Sequence, residues 1–102
     1  VWIRKFLNKK KNKIFIINFN KLQIGYIRLD KKKLYSWVSW ALMKRFSNKK
    51  IMSKSLAKVT NNKKIKFKAL IKLSNVASIR VALNAGFRLQ NKKNKYLIFQ
   101  KN

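Results

Sequence analysis

The chain has no cysteine, no histidine and no proline, only two glycines, and a single acidic residue, Asp30, among 102 residues. Without cysteine it can form no disulfide, no thiolate nucleophile and no thiolate metal ligand, which fits a reducing cytoplasm. Without histidine the usual general base and the commonest metal ligand are both missing. One carboxylate offers neither a pair for acid–base work nor a metal cluster, so no metal is expected. No apolar run reaches the roughly 18 residues of a transmembrane helix. The opening VWIRKFL meets lysines before it builds a signal-peptide core, so no membrane partner and a cytoplasmic location are expected.

What the chain does have is positive charge. Lys and Arg total 28, for a formal charge of +27, which must repel itself and attract anions. Much of it lies in lysines mixed with asparagine, as at residues 9–13 and 91–95. These residue types have AT-rich codons, so base composition competes with selection for anion binding as the source of the basicity. The hydrophobic fraction is 47% and the aromatic fraction 13%, enough to fill one core, and no composition break divides the chain.

Residues 13–20, KIFIINFN, read as a buried strand, and a turn at Asn20-Lys21 leads to an alternating strand over 23–30, QIGYIRLD, completing a hairpin. Gly25 inside that strand marks a bulge or a close backbone approach. Residues 35–43, YSWVSWALM, form a third strand, followed by a polar loop, KRFSNKK. Residues 51–61 carry apolar side chains at helical spacing. A strand follows over 67–73, then a helix over 74–85 with Val76, Ile79, Ala82 and Leu83 on one face, capped by Ser74 or Asn75 and closed by Gly86. Residues 87–89 and 96–100 are two more strands, joined by a charged turn at 92–94.

With this order of elements, Asn75, Ser78, Gly86 and Phe87 fall in the pattern N-x-x-S-x(7)-G-F. The combination resembles the C-terminal two-thirds of the GNAT superfamily of acyl-CoA-dependent N-acyltransferases. The resemblance implies an α+β fold, a mixed and mostly antiparallel sheet flanked by helices. Residues 1–102 would form one domain lacking most of the usual N-terminal strand and helices. It implies acetyl-CoA as the acyl donor. Ala41 and Leu42 of the central strand would orient the pantetheine. Ser47, Asn48, Lys49, Lys50, Ile51, Met52 and Ser53 would face the diphosphate, and Asn75 and Ser78 would contact the pantetheine or adenosine end.

The family's loop reads Arg/Gln-x-x-Gly-x-Gly/Ala, because bare amides at a helix N-terminus hold the diphosphate. Here Ser47 stands at the Arg/Gln position, and Lys50 and Met52 at the glycine positions, where a side chain crowds the ligand or moves it outward. Ala82 occupies the place of the family's acidic tyrosine, so no catalytic residue carries over. The N-x-x-S helix without that tyrosine, together with IGYIRLD and a Ser-Trp strand, is similar to acetyltransferases of amino sugars. The resemblance therefore implies acetyl transfer to a small primary amine. Asn75 and Ser78 are equally readable as a helix cap, and Lys49 and Lys50 as solvated charge. Two other readings stay open: non-specific binding of nucleic acid, with Trp37, Trp40 or Tyr26 stacking on bases, and a non-catalytic remnant of the fold.

Overall fold

The computed structural model describes residues 2–8 and 12–102. Its strands are β1 (Trp2–Asn8), β2 (Asn12–Phe19), β3 (Leu22–Lys31), β4 (Ser36–Leu42), β5 (Phe67–Lys72), β6 (Arg88–Lys93) and β7 (Tyr96–Lys101). Helix α1 (Ile51–Val59) joins β4 to β5, and α2 (Val76–Asn84) follows β5. The seven strands form one sheet in the order β1-β2-β3-β4-β5-β7-β6. All neighbours are antiparallel except β4 and β5. This is the mixed, mostly antiparallel sheet with helices that the sequence implies.

The β2–β3 hairpin forms where expected, and its turn has a specific cause. Asn20 and Lys21 both adopt left-handed φ values, 50° and 68°. A two-residue turn with two positive φ values matches the right-handed twist of the strands it joins. The glycine signal in β3 is explained twice over. Pairing of β2 with β3 shifts by one residue at Ile17/Asn18, so Ile24 is left without a partner in the ladder, a β-bulge. A Cβ on Gly25 would also strike the Ala41 carbonyl oxygen and lie 3.0 Å from Leu42 Cδ1.

The bulge corrects the expected alternation of β3. Ile24 and Ile27, assigned to opposite faces by strict period two, are both buried, because the extra residue turns Ile24 inward. They join a core built from Val38, Phe67, Ala69, Ile71, Leu97 and Phe99 of the sheet and Ile51, Met52, Leu56 and Ala82 of the helices. Both helices therefore cover the same face.

Four further expectations change. Residues 2–8 pair as an edge strand, although Arg4 and Lys5 break up their apolar residues and gave no strand signal, because β2 supplies the template. The KRFSNKK segment is a 3₁₀ helix over Lys44–Lys49 with Phe46 buried against Phe19, not a plain polar loop. Val76 and Leu83 are more than half exposed; α2 buries Ala82 and leans on the sheet with a narrower face than its spacing suggested. Pairing with β7 extends β6 through the lysines to Lys93, and every β6 residue is exposed. The lysines at 9–11 lie outside the described residues. Among the described residues no helix is long and apolar enough to cross a membrane.

Because the obstacle at Gly25 is backbone, Gly25→Ala should destabilise the fold by ~2 kcal/mol. A urea melt with an unchanged slope and a lower midpoint would show this; an unchanged midpoint would mean that β3 and β4 can part at no cost.

Candidate cofactor cleft

Strands β4 and β5 pair in register only at Ser36↔Phe67 and Trp37↔Lys68. Both strands run on, to Leu42 and to Lys72, without further pairing, so the sheet opens along its parallel seam. Trp40 stands at the opening and packs toward Phe87, with ring centroids 6.5 Å apart. The gap is a cleft of about 130 Å³. Val38, Ser39 and Trp40 line one wall, Leu70, Ile71 and Lys72 the other, and Asn75 and Ser78 at the start of α2 close one end. Peptide groups of β4 that face β5 beyond Trp37 have no partner in that strand, and buried backbone groups of this kind seek one elsewhere.

Asn75 is the α2 N-cap: its Oδ1 accepts from the Ser78 backbone N–H at 3.1 Å. The capping role read from the sequence is therefore real, and the same two residues also border the cleft. At the other end of α2, Gly86 has φ 98°. The Phe87 N–H donates to Ala82 O at 2.9 Å and the Gly86 N–H to Leu83 O at 3.1 Å, the paired bonds of a left-handed helix stop.

The loop before α1 is displaced from the expectation in an informative way. Lys50 adopts φ 56°, ψ 14°, a left-handed conformation that glycine adopts more readily than lysine. Ile51, Met52 and Ser53 are buried in the first turn of α1, and Met52, only 2% exposed, points into the core. Its side chain therefore does not obstruct the outer side of the turn. The first helical bond runs from Lys54 N–H to Lys50 O. Amides before it have no acceptor within the helix, no side chain caps them, and the first turn holds no acid. Ser47 is exposed in the 3₁₀ helix, which also contains the backbone of Asn48 and Lys49.

Ala41 and Leu42 lie farther along β4, beside Gly25, Tyr26 and Met43 in a separate shallow depression. They are not among the residues lining the cleft, whereas Asn75 and Ser78 are. Sequence reasoning missed Leu70, Ile71 and Lys72 altogether, because no local pattern reports where a parallel pair of strands separates. Asp30 is engaged on the surface: Arg28 Nε donates to its Oδ1 at 3.0 Å. Ala82 is fully buried and offers no proton.

No family model matches the chain, and no curated protein sequence matches it. Solved structures do. RimL, a ribosomal alpha-N-protein acetyltransferase in complex with coenzyme A, superposes with a TM-score of 0.79 at 17% identity, over 89% of this chain and 62% of its own. The GNAT domain of S. lividans PAT gives 0.78 at 15% identity, over 89% and 60%. PaiA N-acetyltransferase from Thermoplasma acidophilum, in complex with coenzyme A, gives 0.76 at 17%, over 89% and 60%. The fold is that of the GNAT acetyltransferases. The chain spans about three-fifths of the length of these GNAT structures.

One cation of the GNAT frame is perturbed. Burial lowers the Lys101 amine below its ordinary value of 10.5. Its Nζ donates to Thr60 Oγ1 at 3.0 Å, and Thr60 Oγ1 donates in turn to Leu56 O at 2.7 Å. A lysine depressed in the folded state costs stability while it is charged, and that cost fades as pH rises toward the unfolded value. Lys101→Met should therefore melt higher than wild type at neutral pH, with the gap closing as pH approaches 10.5; a gap independent of pH would assign the effect to packing. Lys50→Gly should stabilise the fold by ~1 kcal/mol by relieving the left-handed backbone. Chemical denaturation would measure this, and a loss of stability would show instead that the Lys50 side chain anchors the loop.

Proposed function

We propose that the protein is an acetyl-CoA-dependent N-acetyltransferase acting on a primary amine in a reducing cytoplasm. The observation that carries the proposal is the opened β4–β5 seam, where β4 has no ladder partner in β5 beyond Trp37, flanked by the first turn of α1, which no side chain caps. The residues fit the cofactor in kind. An amide-bearing arm can pair with the free edge of β4 along Val38 to Trp40. Asn75 and Ser78 meet it from α2, and the amides at Ile51 to Ser53 with Lys50 suit the phosphates. The cleft suits the thioester end of the arm, and the rest of the cofactor would lie on the surface.

Bound acetyl-CoA would supply an activated acetyl group. The chain's own contribution is positional: β4 amides that polarise a carbonyl and walls that hold an amine beside it. A C–N bond forms as the C–S bond breaks. With Ala82 where the family places a tyrosine and Asp30 engaged with Arg28, protons leave the amine and reach the thiolate through solvent. An amine that arrives neutral needs no stronger base. The amino-sugar likeness of the sequence motifs nominates amino sugars as the first acceptors to assay.

Isothermal titration with acetyl-CoA should give saturable binding, and Ser78→Phe, which fills the end of the cleft, should weaken it about tenfold (roughly 1.4 kcal/mol). Absence of saturable heat at millimolar ligand would leave a non-catalytic copy of the fold as the correct reading.

A further inference from the structure

The cleft between β4 and β5 has one charged wall residue. Among the described residues that line it, Lys72, the last residue of β5, is the only one with an ionisable side chain. Its backbone is fixed from two sides: Lys72 pairs with Tyr96 of β7, and its carbonyl accepts from the Asn75 N–H at 2.9 Å as the chain turns into α2. Phe67, Ala69 and Ile71 alternate into the core, which puts Leu70 and Lys72 on the other side of the strand, along the gap from Val38 to Trp40. The chain's one acidic side chain, Asp30, is held by Arg28. The ionisable groups around Lys72 are Lys68 on its own strand, Tyr96 across on β7, Lys93 beyond it on β6, Arg80 on α2, and Lys95, whose carbonyl accepts from the Leu73 N–H. Each of these is a cation or a phenol, and none is a carboxylate that would neutralise the Lys72 amine.

We infer that Lys72 is the counter-ion of the thiolate that acyl transfer releases in the cleft. The inference rests on the reading of the cleft as the acetyl-CoA site. In that reaction the amine nitrogen forms a C–N bond, the C–S bond breaks, and its electron pair stays on sulfur. The amine gives its surplus proton to solvent, the sulfur later takes one from solvent, and Lys72 keeps its own. No carboxyl or phenol lines the cleft to protonate the sulfur as it leaves. The negative charge that develops there therefore meets a fixed cation instead, and a group seated in about 130 Å³ lies within reach of both walls. A cation beside a sulfur favours the thiolate over the thiol, which makes it the better leaving group.

Isothermal titration of coenzyme A and of acetyl-CoA between pH 7 and 9, at constant ionic strength, tests this without requiring turnover. A thiol that ionises more readily when bound than when free binds more tightly as pH rises, whereas the acylated sulfur of acetyl-CoA has no proton to lose. For a bound thiol held about 1 to 2 pH units below its free value, the affinity for coenzyme A should rise roughly 2- to 15-fold relative to that for acetyl-CoA. Lys72→Met should abolish this relative rise and leave acetyl-CoA affinity within about twofold, and Lys72→Arg should retain the rise, since the charge is what acts. Lys95→Met, which removes a nearby cation that does not line the cleft, should leave the rise intact. Parallel pH profiles for the two ligands in the wild-type protein, a rise that survives Lys72→Met, an equal effect of Lys95→Met, or equal weakening of both ligands by Lys72→Met would each overturn the inference while acetyl-CoA still binds. Failure of both ligands to bind the wild-type protein would overturn the reading of the cleft itself, and this inference with it.

Discussion

The parallel pairing of β4 with β5 is confined to two residues on each strand, and the rest of the molecule is arranged around that limit. A parallel pair needs a crossover, and α1 supplies it, which puts the helix's N-terminal amides at the end of β4. Past Trp37 the strands separate, and separation frees a strand edge inside the sheet, where backbone groups would ordinarily be paired. Trp40 and Phe87 fill the covered side of the opening. The start of α2 closes one end with a cap, Asn75, that is held whether or not anything enters the cleft.

Charge constrains the same structure from outside. Among the described residues the core buries no ionisable side chain, and the polar groups it does bury are neutral. The described cations therefore lie at or near the surface, where solvent and salt screen them. Lys101 is the place where this separation is least complete, because its stem lies against Gly86 and its amine reaches the buried Thr60. Self-repulsion on this scale weakens a compact state, so cohesion rests on apolar packing of the covered face and on the sheet ladder.

Much of the fold was legible because local chemistry repeated the tertiary outcome. Asn20-Lys21 announced a turn, Gly25 a bulge and close approach, Asn75 a cap and Gly86 a helix stop, and each position has the backbone those residues favour. The elements that were missed lack such marks. Strand β1 is charged and irregular and becomes a strand by pairing. Phe46 made a buried 3₁₀ turn from a segment whose other residues are polar. Spacing singled out Asn75 and Ser78, which border the cleft, and position before a helix singled out the loop at 47–53. Its consequences were misjudged, since Met52 turns inward and the left-handed strain falls on Lys50.

The sequence by itself determined the helices, most strands, the caps and the surplus of positive charge, because these depend on residues within a few positions of one another. Only the tertiary structure decided where β4 and β5 part, that Leu70 to Lys72 face Val38 to Trp40 across the gap, and which aromatics the helices cover. Trp37 and Trp40, three residues apart, look alike in sequence. They fall on opposite faces because side chains alternate along β4, and which of those faces the helices cover is settled by long-range packing.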